Sequence, residues 1–324
     1  MDLAWLTALL LACAFAMGFL VPRGTTCAVA AVDEVLVRRT AWRFGGFAIT
    51  VATVTAMVLP LAWTGSLPVQ LAGTTQISLL VALGGLVFGI GAAINGACVF
   101  GTLTKLVGGD LSYLAVLPGL WLGGVAIGLS GLALAPTGTG ASALGQPDMP
   151  ALMLWGLVCV LLLAGLGWFA RSRRLAKGLI MGGIGVSGGL LYALHPIWSY
   201  HALVQDLALA IIMAPRQMAD GLLPWLVGAA CLGGVVSSVL AGQFKLKAPQ
   251  LRTSGGALVG GFLMAFGIVA VPGGNDGLVL SLLPALVPSA ALAYVNMNLG
   301  IGLMLSLRHG YTRLGAQGGG HAAG

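Results

Sequence analysis

Nine apolar runs, each about as long as a membrane-spanning helix, dominate this sequence. A helix needs about 20 apolar residues to cross the hydrocarbon core of a bilayer. Only 7% of the 324 residues are charged, against about 25% in soluble domains, so the chain has too few polar groups to cover a water-exposed surface. We therefore predict an all-α polytopic membrane protein with nine transmembrane helices. The predicted spans are roughly 3–21, 44–63, 76–97, 111–134, 151–169, 178–194, 222–241, 255–272 and 287–307.

The basic residues predict how the chain is oriented. If the N-terminus lies outside, 14 of the 15 Lys and Arg residues fall in cytoplasmic segments and only Arg216 lies outside. Cytoplasmic loops of membrane proteins carry an excess of Lys and Arg. We therefore predict an outer N-terminus and a cytoplasmic C-terminus. The net charge of +7 then reflects this orientation, and the lipid bilayer, not a nucleic acid, is the expected partner.

Four connections between the spans hold short apolar stretches bounded by Gly, Pro or polar residues. Apolar stretches of about 10–14 residues are typical of re-entrant or interfacial half-helices. We therefore expect short half-helices within 22–43, 98–110, 195–220 and 273–286.

The sequence also contains an internal duplication. The stretch Gly84–Gly128 resembles Gly256–Gly302, since each has a glycine-spaced helix, a polar break, a short apolar segment and another span. An odd number of spans separates the two copies, so we predict an inverted repeat, an arrangement common in transporters. The alternative is a chance similarity between Gly- and Leu-rich segments. The predicted organisation is one transport domain over 1–324, with inverted repeats at about 1–134 and 178–307, a linking helix at 151–169 and a disordered tail at 314–324.

Cys98 lies where a predicted span breaks and a half-helix begins. Asn95 and Gly96 precede it and Gly101 follows, and glycine permits the sharp turn and the close approach that such a break requires. The start of a helix attracts anions through its free N–H groups. We therefore predict an anion site at Asn95, Gly96, Cys98 and Gly101. The alternative for Cys98 is a small buried apolar residue.

Two further segments have a similar form. Cys27 follows the break Arg23–Thr26 and precedes a short apolar segment, and the second repeat breaks at Gly273, Gly274, Asn275 and Asp276. We include Cys27 and these four residues in the predicted substrate site. Asp276 would repel an ionised substrate, so we expect it to cap the half-helix or to carry a coupling proton.

The remaining candidate side chains are predicted to be structural. Cys13, Cys159 and Cys231 lie within spans, and His195 and His201 flank a half-helix near the membrane edge. We expect the cysteines to fill the core and the histidines to be interfacial anchors. No zinc spacing or nucleotide motif with the required context is present, so no metal or cofactor is predicted.

Other polar groups near or within the spans are also assigned from position. Asp33 and Glu34 are expected to pair with Arg38 and Arg39. The polar neighbours of Met297 on the last span, Asn296 and Asn298, would be costly in lipid, so this part of the helix is expected to face the interior.

The motifs GTTC ending at Cys27, NGACVFGTL around Cys98, GGDLSYL after it and PGGNDG around Asn275 together resemble the YeeE/YedE sulphur-transport family. The resemblance covers essentially the whole chain. It implies an hourglass-shaped inverted repeat in a bacterial inner membrane, and cysteines that pass thiosulfate along through S–H hydrogen bonds. Cys27 and Cys98 match the first-half cysteines. The cysteine that the thiosulfate carriers have in the second-half break is replaced by Asn275 and its neighbours.

The function predicted from the sequence is a permease, not an enzyme, for thiosulfate or a related sulphur-containing anion. Two alternatives remain open. One is a membrane sulphurtransferase that hands persulfide sulphur from Cys98 to a cytosolic carrier protein of the TusA-like kind. The other is a carrier or channel for a small molecule without sulphur, with PGGNDG as its main binding element.

Overall fold

The structure is a computed structural model that describes residues 3–24, 26–73, 76–130, 144–196, 198–204, 207, 221–270 and 274–318. A helix coincides with each of the nine predicted spans. The long helices are α1 (Leu3–Leu20), α3 (Trp42–Thr64), α4 (Leu79–Asn95), α6 (Val116–Ser130, preceded by a 3₁₀ turn at Leu111–Ala115), α7 (Met149–Arg171), α8 (Leu175–Leu194), α9 (Leu223–Leu240), α10 (Leu251–Ala270) and α12 (Pro288–Gly318). The short helices are α2 (Ala28–Asp33, continued by a π-helical turn at Glu34–Arg38), α5 (Val99–Val107) and α11 (Gly274–Gly277, continued by a π-helical turn at Leu278–Leu282).

The described helices make this an all-α membrane protein with eight or nine candidate spans. Eight helical stretches are long and apolar enough to cross a membrane, and one of them, Leu79–Val107, contains both α4 and α5. The remaining predicted span is helix α1, whose apolar part, Ala4–Leu20, is slightly shorter than the other eight stretches.

Glycines let the central helices approach each other closely. A Cβ atom on Gly85 of α4 would lie 2.6 Å from the carbonyl oxygen of Ala293 on α12, and one on Gly260 of α10 would lie 2.6 Å from the carbonyl oxygen of Gly91 on α4. Both distances are too short for a real contact, so any larger residue would push the backbones apart. Small residues are the usual means of close helix packing in lipid, where apolar burial does not itself drive association.

The helix contacts repeat between the two halves of the chain. If α1, α3, α4 and α6 are matched with α8, α9, α10 and α12, their contacts correspond. The contact of α3 with α8 matches that of α9 with α1, and the contact of α4 with α12 matches that of α10 with α6. The two remaining large contacts, α1 with α8 and α4 with α10, each join a helix to its counterpart in the other half. This pattern is consistent with two copies of one structural unit.

Helix α7 lies outside this repeated arrangement. It contacts α3 and α8, and only 6% of its apolar window is buried. At one end, Trp168 stacks on Trp42 of α3 at 4.0 Å between ring centroids, and the Arg174 guanidinium lies over the other face of that ring. Near its start, Trp155 donates to the Ala56 carbonyl of α3 at 3.1 Å and packs edge-on against Trp63. The helix is therefore held to α3 near both ends, while most of its surface is exposed.

Short helices occur in the four predicted half-helix regions as far as these are described. The region 22–43 contains α2, 98–110 contains α5, and 273–286 contains α11 with its π-helical turn. In 195–220, residues 200–204 are helical and most of the rest lies outside the described residues. Helix α12 continues to Gly318, into the tail that was predicted over 314–324; residues 319–324 lie outside the described residues.

Candidate functional site

Helix α4 ends in a sharp break that is built by glycine and asparagine. Gly96 has φ of 76°, a left-handed conformation that glycine adopts without steric cost, and the N–H groups of Gly96 and Ala97 close the helix end by bonding to Ala93 and Ala92. The Asn95 amide donates to the Ala97 carbonyl at 2.7 Å and to the Thr102 hydroxyl at 2.8 Å. Asn95 therefore braces the break. Its buried Oδ1 has no hydrogen-bond partner among the described residues.

Cys98 lies at the centre of three chain breaks. It is the N-cap residue of α5 and is fully buried. Its Sγ accepts hydrogen bonds from the Ala28 backbone N–H at 3.3 Å and from the Asn275 amide at 3.6 Å, and its thiol donates to the Thr26 carbonyl at 3.8 Å. The sulphur atom thus receives N–H donors from the start of α2 and from α11, which are donors of the kind that an anion would need.

Cys27 occupies the corresponding position at the start of α2. It is the N-cap residue of that helix, and its thiol lies within hydrogen-bonding reach of the Cys98 thiol. Both cysteines are free. A Cβ atom on Gly101 would lie 2.7 Å from Cys27 Sγ, so the absence of a side chain at Gly101 makes room for this thiol. The structure therefore brings together all the predicted first-half residues.

The second-half break contributes one residue to the same cluster. Gly274 has φ of 58°, and Asn275 is fully buried with its amide N–H on Cys98 and its Oδ1 without a hydrogen-bond partner among the described residues. Gly273 lies outside the described residues. Asn275 is therefore the residue through which the second break contacts Cys98, and Gly274 forms the turn directly before it.

Asp276 points to a different set of side chains. Its carboxylate accepts a hydrogen bond from the Tyr192 hydroxyl at 2.8 Å, and its Oδ1 lies 3.7 Å from Nε2 of His201. Asp276 and His201 are each 3% exposed. The prediction of an interfacial anchor is therefore wrong for His201, because the segment that carries it folds inward onto the break. His195 is partly exposed.

Sequence reasoning did not find the two tyrosines near this cluster. The Tyr200 hydroxyl donates to the Val99 carbonyl at 3.2 Å, at the first turn of α5, and Tyr192 donates to Asp276 as described above. The available signal was the run from Tyr192 to His201, which contains several polar-tipped aromatic residues. Which of these residues reach the breaks depends on how the two halves of the chain pack together.

The predictions for the other cysteines and for the polar residues of the last span agree with the structure only in part. Cys13 is buried in the core, but Cys159 and Cys231 are only partly buried, so they do not fill the core as predicted. Met297 is buried, while the amides of Asn296 and Asn298 bond to carbonyls one turn earlier in their own helix.

The predicted ion pair near the end of α2 forms with another arginine. Glu34 pairs with Arg43 at 3.2 Å and accepts from the Trp42 backbone N–H at 3.0 Å. It therefore closes the start of α3 in place of pairing with Arg38 or Arg39.

The GGDLSYL motif lies beneath the site, at the end where α5 finishes. Gly108 and Gly109 accept backbone hydrogen bonds from Lys245 and Lys247 of the α9–α10 loop. A cavity of about 230 Å³ opens there, lined mainly by polar residues that include Lys105, Lys245 and Lys247. Basic residues from two separate connections therefore lie at the same end of the molecule. Among the described residues, no three metal-ligating side chains form a cluster.

Comparison with known families assigns the chain to one of them. A family model described as sulphur transport matches residues 23–182 and 150–303, in two copies. The chain belongs to the sulphur transport family. The two matches together cover most of the chain and all three breaks, and two domain copies agree with the repeated helix contacts. No curated protein matches the chain significantly.

Proposed function

We propose that this sulphur-transport family protein is a permease for thiosulfate or a closely related sulphur-containing anion, which passes the buried cluster of Cys27, Cys98 and Asn275. The observation that carries the proposal is the environment of Cys98 Sγ. Two N–H donors from different chain segments are already directed at this atom. A substrate anion would take the place of the sulphur as acceptor and would receive the Cys98 S–H as a further donor.

The physical requirement is to replace the water of a dianion without trapping it. Hydrogen-bond donors at the ends of broken helices provide fixed dipoles for this purpose, and anionic groups in other transporters bind at such ends. The donors found on Cys98 belong to a backbone amide and a carboxamide, which carry no permanent charge. The site can therefore bind an anion weakly enough to release it.

The repeat is proposed to be inverted and to place these ends near the middle of the membrane. Gly183 lies beside Leu20 and Gly188 beside Met17, so α8 runs antiparallel to its counterpart α1. Helices α4 and α5 together form one membrane-length stretch, and its break lies at Cys98. These two features support our proposal of an hourglass with its constriction at Cys98.

Transport is favoured over sulphur transfer by the neighbours of Cys98. A persulfide-forming cysteine requires a thiolate, which is activated by a base or a nearby cation. Apart from the Cys27 thiol, the groups bonded to Cys98 are an amide N–H, a carboxamide and a carbonyl. None of them is a base or a cation, and the carbonyl accepts the hydrogen bond that a neutral thiol donates.

The direct test is uptake of radiolabelled thiosulfate, together with growth of a sulphate-uptake-deficient bacterium on thiosulfate and on other sulphur sources. We expect the wild-type protein to restore growth on thiosulfate or on a related sulphur anion. Growth on none of these compounds, with normal membrane insertion, would overturn the proposal.

The proposed orientation has a separate test. Because 14 of 15 basic residues then lie inside, a reporter fused after Arg313 should be active only in the cytoplasm. A reporter in the loop before α7, next to Asp148, should be active only outside. The reverse pattern would contradict the orientation and would leave the site assignment unchanged.

A further inference from the structure

A buried acid, a histidine and a tyrosine form a compact cluster directly behind the proposed anion site. Asp276 Oδ1 lies 3.7 Å from His201 Nε2, and Asp276 Oδ2 accepts from the Tyr192 hydroxyl at 2.8 Å. Among the residues that the structure describes, Asp276 is the only acidic residue that is buried. Ionisable groups within a membrane protein are costly and usually serve proton or ion pathways. This cluster therefore calls for a functional explanation beyond anion binding.

The cluster is adjacent to the anion site through the backbone. Asp276 follows Asn275, whose amide is 3.6 Å from Cys98 Sγ. An anion that takes up the Asn275 N–H would therefore lie close to the Asp276 carboxyl. Its charge would be felt strongly there, because the site is buried and solvent screens it little.

The titratable groups that face the pair come from several elements. Tyr192 reaches it from α8 and Tyr200 from the same segment as His201. Cys98, at the start of α5, contacts the neighbouring Asn275, and Tyr294 of α12 lies on the Cys98 side of the site. None of these groups is a permanent cation, so the charge of the pair changes with its own protons.

We propose that Asp276 and His201 form a proton-binding site whose occupancy is coupled to anion binding at Cys98, so that the anion enters together with a proton. This inference rests on the proposed anion permease and adds its energy coupling. With one proton the pair is neutral, with two it carries one positive charge, and with none it carries one negative charge. An anion beside the pair favours the more protonated form, and by reciprocity protonation favours anion binding.

The cycle balances in protons and charge. On the outer side, the pair takes up one proton from solution as the anion binds. On the inner side, the anion leaves and the same proton is released, which returns the pair to its starting state. No bond in the anion is made or broken and no electron is transferred. The inward movement of negative charge is reduced by one unit in each cycle, which lessens the opposition from a membrane potential that is negative inside.

The test uses the full-length protein in liposomes that contain a pH-sensitive dye, with the membrane potential clamped by potassium and valinomycin. Thiosulfate is added outside, and the initial rates of radiolabel uptake and of internal acidification are measured together. We expect about one proton for each thiosulfate in the wild-type protein. We also expect uptake to be faster at an external pH of about 6 than at about 8, because the pair is then more often protonated.

Two variants remove the proton site without removing its shape. Asp276→Asn keeps an oxygen that can accept from Tyr192, and His201→Gln keeps a polar side chain of similar reach. In each, the proton-to-anion ratio should fall to near zero, and the dependence of uptake on external pH should be lost. The ratio does not depend on how much transport remains, and His201→Gln provides a second measurement if Asp276→Asn does not fold. Asp148→Asn is the matched control, since Asp148 is an exposed acid that caps α7, and its ratio should equal that of the wild type.

The outcomes separate this inference from the proposed function. Thiosulfate uptake without proton movement in the wild type would overturn the coupling and leave the permease intact. A wild-type ratio in both Asp276→Asn and His201→Gln would also overturn it. If the wild-type protein takes up no thiosulfate under any gradient, the assignment of thiosulfate fails and the coupling fails with it.

Discussion

The two halves of the molecule break their central helices at corresponding places but fill the breaks with different chemistry. In the first half, the break after α4 holds Cys98, and the Asn95 side chain bonds to residues of this same break and of the helix that follows it. In the second half, the break after α10 holds Asn275 and Asp276, whose side chains bond to other segments. The first break is therefore self-braced, while the second reaches across the repeat to Cys98 on one side and to His201 on the other.

This difference shows how a duplicated unit can divide two tasks. In the inverted repeat that we propose, equivalent breaks would meet near the centre of the membrane, so each copy could specialise while the shared site is kept. The first copy supplies thiols and a rigid turn, which suit a neutral hydrogen-bond relay. In our proposal, the second copy supplies an amide for the anion and an ionisable pair for the proton.

The largest expected effect comes from removing the thiol on which the two breaks meet. Cys98→Ala removes the S–H donor to the anion, and we expect thiosulfate uptake to fall roughly 100-fold, since a hydrogen bond to a charged group contributes about 1.5–3 kcal/mol. Cys27→Ala should have a similar effect. Uptake is measured in vesicles at equal protein content.

Cys159→Ala is the control for both variants, because Cys159 lies on the peripheral helix α7. It should transport like the wild type. Equal losses in all three variants would mean that the cysteines matter for packing and that the first break is not a relay.

A smaller effect is expected at the position where the second break reaches across. Asn275→Ala removes one N–H donor, and we expect uptake to fall by about tenfold. Asn275→Cys restores a donor of the kind found in the first break, so it should lose less and should shift preference toward thiosulfate in competition assays with related sulphur anions. Unchanged uptake and preference in Asn275→Ala would show that the second break is only a turn.

The fit between the breaks can be tested through glycine. Gly101→Ala would place a Cβ atom 2.7 Å from Cys27 Sγ and 3.1 Å from the Ala97 Cβ, so the Cys27 thiol must move. We expect uptake to fall by about fivefold, with normal membrane insertion, because the displaced donor weakens one hydrogen bond.

The matched control for the glycine change is Gly156→Ala on α7. A Cβ atom at Gly156 would meet nothing within 4 Å, so this variant should be neutral. A neutral result for Gly101→Ala as well would mean that Cys27 has room to move and that its position is not critical.

The smallest effect should come from the outer edge of the second break. Tyr192→Phe removes the hydrogen bond to Asp276 and leaves the aromatic ring, so we expect a change of a few-fold at most in the uptake rate. The pH dependence of uptake should shift while the proton-to-anion ratio stays at the wild-type value. Loss of the ratio in this variant would make Tyr192 part of the proton site itself.

Much of the fold could be predicted because a membrane-spanning helix requires a long run of apolar residues, which is easily recognised in a sequence. The nine predicted spans coincide with helices, and the breaks at Asn95–Cys98 and before Asn275 were recognised from glycine and polar residues. The ends of helices were less predictable. For α12, apolarity ends near Arg308, but the backbone continues as a helix to Gly318.

The candidate site was predictable only in part, for a related reason. Cys27, Cys98, Gly101 and Asn275 were each marked by a local signal, a cysteine or an amide beside glycine. Tyr192 and His201 had no such signal, since an aromatic or histidine near a membrane edge is usually an anchor for the interface. Their roles depend on a contact with Asp276 across more than 70 residues of chain.

By itself, then, the sequence determined the class of the protein, the number of apolar helices, the existence of a duplication and the places where helices must break. These are local properties, governed by residue hydrophobicity and backbone freedom. The tertiary structure alone decided that three breaks converge on one sulphur atom, that Asn95 faces its own turn while Asn275 faces Cys98, and that His201 folds inward onto Asp276. The physical reason is that glycine-lined helices from the two halves pack at backbone contact, and this close packing between distant segments sets which donors and charges meet.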